Sequence, residues 1–408
     1  MAEDELQEHS KAIASGTFWG LLGNGAAKLI SFLYIVYVAR MVSQNDVGLF
    51  YLALSIIGLF GAWKTFGLPL ALTRYVPYFE ARKEYGKARS LLWITYLANI
   101  VSGIALAALT WFAADYAGAA YQNPGLPEAL RLLAAYVLLE NLFSTNTSFL
   151  QGRSDIRSMQ AANVLQAALK LALTAALFTL FGPSLATLCA GFVGAFVLSV
   201  AVSGVWTAQS ERAMPKGVSA GGITGEQLAR EIVPFGLMLT IVSVLWMIVT
   251  YADRILLGYF LPPSQANQGL AVYSLAVLLA VNVMVLPSTV GSIFLPVISQ
   301  LVGKDDKDGV RKAMATAQRW SLCITLPFVA VMVAFSSEML SMLYGREYAQ
   351  GGATMAIFCA GLVFSAFSYI ISLTLAGMRL VKLEFKIALA NVGTNVLLCL
   401  LLIPAYGL

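Results

Sequence analysis

Long apolar stretches recur along almost the whole chain and are separated by short polar segments. A transmembrane α-helix needs about 20 consecutive, mostly apolar residues, and most of these stretches reach that length. The pattern therefore predicts an all-α polytopic membrane protein with eleven spans. The predicted spans are 16–39, 47–68, 90–114, 129–150, 159–181, 184–207, 233–259, 270–295, 320–343, 353–376 and 385–403.

The longest polar break between spans contains the sequence QSERAMPKGVSAGGITGEQ and is the best candidate for a lobe boundary. It predicts an N-terminal six-helix lobe at 1–207, a cytoplasmic linker at 208–228 and a C-terminal lobe at 229–408 with five helices. Residues 303–319, which precede the ninth predicted span, have the pattern of a short amphipathic surface helix.

The two halves of the chain resemble each other at three landmarks, which are Gly48 and Gly269, Gly152 and Gly377, and Gly182 and Gly407. The partners of each pair are 221 to 225 positions apart. An even number of spans per half keeps both halves in one orientation, so the pattern predicts two six-helix lobes related as parallel repeats. A twelfth span is then expected to be missing, either naturally or by truncation of the sequence.

The composition supports a membrane protein and excludes several other classes. Hydrophobic residues make up 59% of the chain, charged residues only 12%, and the mean hydropathy is +0.77. The four cysteines lie in apolar stretches and the single histidine, His9, lies in the polar head, which disfavours zinc sites and most catalytic triads. We predict no enzyme activity, no metal and no cofactor.

The basic residues indicate an orientation rather than a nucleic-acid partner. The net charge is +5, but lysine and arginine are spread over short loops between spans. If the N-terminus is cytoplasmic, most of them fall on the inner side, and the outer loops keep only Arg40, Arg131 and Arg346. The positive-inside rule therefore predicts a multi-pass protein of the cell membrane with a cytoplasmic N-terminus.

Six charged residues lie inside predicted spans, namely Lys28, Lys64, Glu140, Lys170, Asp253 and Arg254. A charge near the bilayer centre costs at least about 2.5 to 3.5 kcal/mol, so such residues face water or pair with one another. Polar residues accompany several of them at helical spacing, as Asn24 does one turn before Lys28. We therefore expect a central cavity between the lobes.

Basic residues outnumber acidic ones in this set, which predicts an anionic ligand such as a phosphate or diphosphate. The predicted substrate-binding residues are Lys28, Asn24, Lys64, Arg74, Lys170 and Arg254, and the candidates for binding a coupling ion are Glu140 and Asp253. Two other interpretations stay open. Lys64 lies near a span end and fits snorkelling, and Glu140 with Lys170 fits a buried structural pair.

Four segments carry a resemblance to a known family: RMVSQNDVGLFYLA, LQGRSDIRSM, YADRILLGYFLPPSQANQGLAVYSLA and LYGREYAQGGATM. They resemble turns and a seventh-helix signature of the polysaccharide transporters, the flippases for O-antigen and lipid-linked oligosaccharides. This family belongs to the multidrug/oligosaccharidyl-lipid/polysaccharide exporter superfamily. In the third segment, Asp253 and Arg254 occupy the signature pair of the family.

The resemblance implies two six-helix lobes around a central cavity and a transporter that works by alternating access. It would flip a polyprenyl-phosphate or diphosphate oligosaccharide from the cytoplasmic to the outer leaflet, with membrane lipid and glycan-assembly proteins as expected partners. A multidrug or cation antiporter of the same superfamily is the nearest alternative. A membrane-embedded glycan ligase or polymerase is less well supported, because the outer loops are short.

Overall fold

The computed structural model describes residues 2–61, 67–215, 223–378 and 380–406. These residues are helical almost throughout and contain no strand, which confirms the predicted all-α class. They form two compact units, Met1–Met247 and Ile248–Leu408. The helices of the first unit are α1 (Ala2–Met41), α2 (Gln44–Gly61), α3 (Leu68–Ala81), α4 (Tyr85–Ala120), α5 (Leu126–Gly152), α6 (Ile156–Phe181) and α7 (Leu185–Arg212).

Helix α8 (Val233–Phe260) begins in the first unit and ends in the second. It follows a helical turn, Gly225–Gln227, and a π-helical turn, Leu228–Ile232. The second unit continues with α9 (Pro263–Val281), α10 (Val285–Gly303), α11 (Lys307–Ala334), α12 (Ser336–Tyr344), α13 (Gly352–Gly377) and α14 (Val381–Tyr406). Short 3-10 turns at Asn282–Met284 and Arg346–Gly351 precede α10 and α13.

Within the part of the chain that the structure describes, nine helices are long and apolar enough to cross a membrane. They correspond to nine of the eleven predicted spans. The other two predictions, 47–68 and 129–150, fall on α2 and α5. The apolar part of α2, Gln44–Leu59, is shorter than a typical span, and the buried side of α5 includes the polar residues Asn141, Thr145 and Asn146.

The expected surface helix at 303–319 is wrong. Residues 307–334 form one continuous helix, α11, which joins the amphipathic segment to the apolar one. The chain breaks instead at Phe335, before α12. Asp306 is the N-cap of α11, because its side chain accepts a hydrogen bond from the amide of Gly309 at 2.8 Å. The helix then continues without interruption from the amphipathic segment into the apolar one.

Equivalent turns in the two halves have similar backbone geometry. Lys83 and Asp305, which precede the N-caps of α4 and α11, both have positive φ, of 60° and 54°. Gly152 and Gly377 both end a helix, and each packs closely on an earlier helix of its own half. An added Cβ would lie 2.8 Å from the carbonyl oxygen of Leu72 in α3 in the first case, and 2.5 Å from Cγ2 of Ile298 in α10 in the second.

Buried polar side chains connect three helices in the middle of the first unit. The Nδ2 atom of Asn99 in α4 donates to Oγ1 of Thr145 in α5 at 2.7 Å. One residue on, Nδ2 of Asn146 donates to Oγ of Ser203 in α7 at 2.8 Å, and its Oδ1 atom accepts from the hydroxyl of Tyr96. Such bonds hold membrane helices together where the apolar effect contributes little.

One end of the first unit carries many of its basic residues, and we call it the basic end (Arg74, Arg82, Lys83, Arg153 and Arg212). Arg153, in the turn after α5, forms an ion pair with Glu80 of α3 and donates through Nε to Oγ of Ser210 in α7 at 3.2 Å. These contacts bring the C-terminal ends of α3, α5 and α7 together.

Both described ends of the predicted linker pack on the first unit. Met214 belongs to an apolar cluster with residues of α3, α4 and α5, and Ile223 and Leu228 pack against the same cluster. Arg89 of α4 donates to the carbonyl oxygen of Met214 at 2.9 Å, and the amide of Ile223 donates to Oγ of Ser90 at 3.4 Å. The predicted boundaries of the lobes stay a prediction.

We expect Gly152→Ala to destabilise the protein, because the new Cβ would press on the backbone of α3. Overpacking of this kind costs about 1–3 kcal/mol. The measurement is the melting temperature of the purified protein in detergent. The control is Gly194→Ala, whose Cβ would meet only Cδ1 of Leu173 at 3.7 Å and should leave the melting temperature unchanged or slightly higher. Equal melting of both variants would contradict the packing described.

Candidate functional site

Helices α1 and α6 pack closely along a polar stripe of α6. The stripe contains Gln160, Asn163, Gln166, Lys170 and Thr174, which follow one another at three- or four-residue spacing. At one end of the stripe, a Cβ added to Gly23 of α1 would lie 2.4 Å from Cβ of Gln160. At the other end, a Cβ added to Gly191 of α7 would lie 2.5 Å from Oγ1 of Thr174. The stripe therefore runs between α1 and α7.

Lys170, in this stripe, is surrounded by aromatic rings. Its Nζ atom lies 6.0 Å from the ring centroid of Tyr34 in α1, and 5.6 Å and 6.0 Å from those of Phe192 and Phe196 in α7. The negative faces of such rings attract a cation by about 0.5–2 kcal/mol each. Among the described residues, Lys170 has no carboxylate within 4 Å. Its ammonium is therefore held without being neutralised by an acid.

Glu140 lies on α5, close to the same aromatic group. Tyr136 and Phe143, one turn before and after it, pack on Phe196 with ring centroids 4.9 Å and 6.1 Å away. Glu140 itself is half-buried. The interpretation of Glu140 and Lys170 as a buried structural pair stays a prediction.

Asn24 and Lys28 are exposed on α1, one turn apart. They lie at the edge of the face that packs on α6, where Gly23 contacts Gln160. An ammonium group facing hydrocarbon at this depth would be costly, so the exposure of Lys28 favours a water-filled space beside α1. Lys64, the other cation predicted near it, falls outside the residues that the structure describes.

The predicted pair on α8 lies in the second unit. The hydroxyl of Tyr273 in α9 donates to Oδ2 of Asp253, and the amide of Arg254 donates to its Oδ1 at 2.7 Å. Arg254 is 7% exposed. Asp253 is thus bonded to the neighbouring helix, whereas Arg254 points about 100° away around α8, as its position in a helix requires. Burial of a guanidinium in an apolar region is costly unless it is paired, and the carboxylate of Asp253 is the charge beside it.

Arg74 belongs to a different part of the molecule from the other predicted residues. It is exposed on α3, which is not among the membrane-crossing helices of the described chain. Its guanidinium carbon lies 5.4 Å from the ring centroid of Tyr75. Arg74 is thus placed on a helix that carries none of the other predicted site residues.

Sequence reasoning missed the aromatic and hydroxyl partners of these charges. The rings around Lys170 belong to other helices than α6, because Tyr34 lies in α1 and Phe192 and Phe196 lie in α7. Tyr273 lies in an apolar run where a tyrosine is not unusual. A buried tyrosine with its hydroxyl inside a span is a signal that could have drawn attention to Tyr34, which is 5% exposed.

A family model described as polysaccharide biosynthesis protein matches residues 13–302, and a second model, MatE, matches residues 234–401. An uncharacterized membrane protein of Methanocaldococcus jannaschii is 23% identical over 98% of this chain and 80% of its own length. Stage V sporulation protein B of Bacillus subtilis is 20% identical over 81% of this chain and 67% of its own. A "probable low-salt glycan biosynthesis flippase" of Haloferax volcanii is 18% identical over 93% and 75%.

Solved structures of the multidrug/oligosaccharidyl-lipid/polysaccharide exporter (MOP) superfamily have the same fold. An inward-facing multidrug resistance transporter of the MATE family superposes with a TM-score of 0.71 at 15% identity, over 93% of this chain and 86% of that one. The lipid II flippase MurJ, in an inward closed conformation, gives a TM-score of 0.71 at 15% identity, over 95% and 82%. At these identities the likeness establishes the fold and leaves the transported substrate open.

We expect Tyr273→Phe to destabilise the protein, because Asp253 would lose a hydrogen-bond donor inside the membrane. A buried acceptor without its partner costs about 1–3 kcal/mol. Melting temperatures of Tyr273→Phe, Asp253→Ala and the double variant form a double-mutant cycle. Tyr116→Phe, which changes an 81% exposed tyrosine, is the control. A loss that is equal with and without Asp253 would show that the bond is not the cause.

Proposed function

The chain belongs to the polysaccharide biosynthesis protein family, and on that premise we propose that it flips a lipid-linked oligosaccharide from the cytoplasmic to the outer leaflet. The substrate would carry its glycan on a polyprenyl phosphate or diphosphate. The proposed activity is transport, with no covalent step. The observation that supports it most is the pair of lysines in the first unit, Lys28 and Lys170, neither of which has a carboxylate within 4 Å among the described residues.

The proposed role of Lys170 follows from its surroundings. Three aromatic rings remove water from its ammonium group and lie within 6.0 Å of it. Where the dielectric is low, the attraction of a cation for a phosphate is stronger than in water. A phosphate oxygen can replace part of the lost hydration of the ammonium and form a charge-assisted hydrogen bond with it. Lys170 is therefore suited to an anion and poorly suited to a cationic drug.

Lys28 provides the second positive charge, at an exposed position on α1. Asn24, one turn away, can donate to phosphate oxygens or sugar hydroxyls through its amide. Arg254 and Lys64 complete the set of proposed substrate-binding cations within the spans. The headgroup would pass these groups by alternating access while the polyprenyl tail stays in lipid. Glu140 and Asp253 are the proposed sites for a coupling proton or sodium ion.

A multidrug or cation antiporter is the second candidate, and the match of the MatE model to the C-terminal half favours it. In that case the acids would form the binding site and the lysines would be peripheral. Glu140→Gln and Asp253→Asn would then abolish export of a cationic dye from cells, while Lys28→Met would leave it intact. If the flippase proposal holds, the same acid variants affect only the coupling of sugar-lipid transport.

The proposed orientation has the N-terminus and the basic end in the cytoplasm. We expect a membrane-impermeant maleimide to label Glu128→Cys in intact cells, because the start of α5 would face outwards. Lys312→Cys, in the exposed first turns of α11, should react only after the cells are permeabilised. Both variants are made in a background without the four native cysteines. The reverse labelling pattern would place the N-terminus outside.

We expect Lys28→Met and Lys170→Met each to slow flipping about tenfold or more, which corresponds to losing about 1.4 kcal/mol of interaction with the headgroup. Methionine keeps the length and apolar stem of lysine and removes the charge. The measurement is the crossing of a fluorescent polyprenyl-diphosphate sugar between the leaflets of proteoliposomes. Lys312→Met removes an exposed lysine of α11 and is the matched control.

The two lysines are tested separately from the proposal as a whole. Unchanged flipping in Lys28→Met would remove Lys28 from the binding site and leave the flippase proposal standing. Unchanged flipping in both lysine variants would contradict the cationic site. Absence of flipping by correctly folded wild-type protein would contradict the proposed function itself.

A further inference from the structure

The first turns of α11 and the turn before them carry a group of exposed basic residues. Five basic and three acidic residues lie between positions 304 and 319. The acids are confined to 305–308, so the stretch 309–319 has three basic residues and no acidic one. Positive charge is therefore concentrated where the helix approaches its apolar part. The basic residues, all exposed, are Lys304, Lys307, Arg311, Lys312 and Arg319.

Packing on neighbouring helices determines which side of α11 faces outwards. Val310 and Ala317, seven residues apart on one side, belong to an apolar cluster with residues of α10 and α13. Lys312 and Arg319 follow them by two positions each, which is about 200° around a helix. They therefore lie opposite the buried side, two turns apart, with Arg311 beside them. We call Arg311, Lys312 and Arg319 the basic face of α11.

The basic face has no acidic partner within the part of the chain that the structure describes. The ion pairs of that part involve other residues, although Asp308 lies three and four positions before Arg311 and Lys312, where a helical ion pair can form. The positive-inside rule explains why basic residues accumulate on one side of a membrane. It does not require them to share one exposed face of a helix, so a ligand for this face is a separate question.

The basic face adjoins the membrane. Helix α11 is long and apolar enough to cross it, and Arg319 is the last charged residue before the uncharged run 320–334. Trp320, at this boundary, is 62% exposed, and tryptophan is enriched at the level of lipid headgroups. Lys312 lies about 10 Å from Arg319 along the helix axis, which is close to the Debye length at physiological salt. Headgroups beside Arg319 are therefore within the electrostatic reach of the whole face.

We propose that the basic face of α11 binds anionic phospholipids of the leaflet that it adjoins. Arg319 forms charge-assisted hydrogen bonds with a lipid phosphate, and Arg311 and Lys312 attract further anionic headgroups by their charge. The face is separate from the charged residues within the spans, so the binding is expected for a carrier of sugar-lipids and for a carrier of cationic drugs alike. Loss of Lys312 alone should leave transport unchanged.

Lipid binding to the full-length protein in micelles of a zwitterionic detergent tests the proposal. The probe is a fluorescent phosphatidylglycerol, and phosphatidylcholine with the same label is measured beside it. We expect wild-type protein to bind the phosphatidylglycerol about tenfold or more tightly. A loss of about fivefold is expected for each basic residue removed, and higher salt should weaken the binding further. The variants are Arg311→Gln, Lys312→Gln and Arg319→Gln.

Two control variants separate charge from helix structure. Asp308→Asn changes the same turns of α11 and keeps every positive charge, so it should bind the lipid at least as tightly as wild type. Arg319→Lys keeps the charge and should bind within about threefold of wild type. Melting temperatures of all variants, measured with phosphatidylcholine, establish that they fold. Equal losses in Asp308→Asn and Arg311→Gln would attribute the binding to the shape of the helix start and would overturn the proposal.

Competition identifies the source of the phosphate. Glycerol 3-phosphate in solution should displace the probe at least tenfold less well than unlabelled phosphatidylglycerol, because it is not concentrated at the micelle surface. A polyprenyl-phosphate sugar, which carries the same single charge, should displace it about as well as phosphatidylglycerol. Displacement by the sugar-lipid at a tenfold lower concentration would overturn the proposal and indicate a substrate surface. Equal binding of the two labelled phospholipids, or unchanged binding in all three glutamine variants, would overturn it as well.

Discussion

The cost of a polar group without a partner in hydrocarbon is the constraint on which this structure depends. It requires the backbone to be helical wherever the chain crosses the membrane, and it explains why the described residues contain helices and no strand. The same cost acts on side chains. In the first unit, Thr145 of α5 accepts a hydrogen bond from Asn99 of α4, and Asn146 of α5 donates one to Ser203 of α7. The polar residues of α5 therefore hold three helices together.

The buried charged residues of the two units have different kinds of partner. In the second unit, Asp253 is bonded to Tyr273 and to the amide of its own neighbour. In the first unit, aromatic rings surround Lys170 and no carboxylate of the described chain neutralises it. A charge that is held by rings retains its capacity to bind an external anion. This difference is what connects the fold to the proposed transport of a phosphate-linked glycan.

Much of the fold could be predicted from the sequence, because apolar length and helical spacing are local properties. Polar residues at helical spacing from the charged ones were expected to avoid lipid, and on α6 Gln160, Asn163 and Lys170 form such a stripe. The rings around Lys170 could not be predicted, since they depend on how α1 and α7 pack against α6. On α5 Glu140 was recognised from the sequence, but the fully buried polar side chains are Asn141 and Thr145 near it. The continuity of α11 was missed because its amphipathic start and its apolar end have different compositions.

The most direct measurement offers both kinds of cargo to wild-type protein reconstituted in liposomes. One sample contains a fluorescent polyprenyl-diphosphate sugar in one leaflet, and a second contains a cationic dye with proton and sodium gradients applied in turn. A cationic first unit predicts that the sugar-lipid crosses faster than in protein-free liposomes and that the dye does not accumulate. Transport of the dye with no movement of the sugar-lipid would contradict it and identify the chain as a cation antiporter.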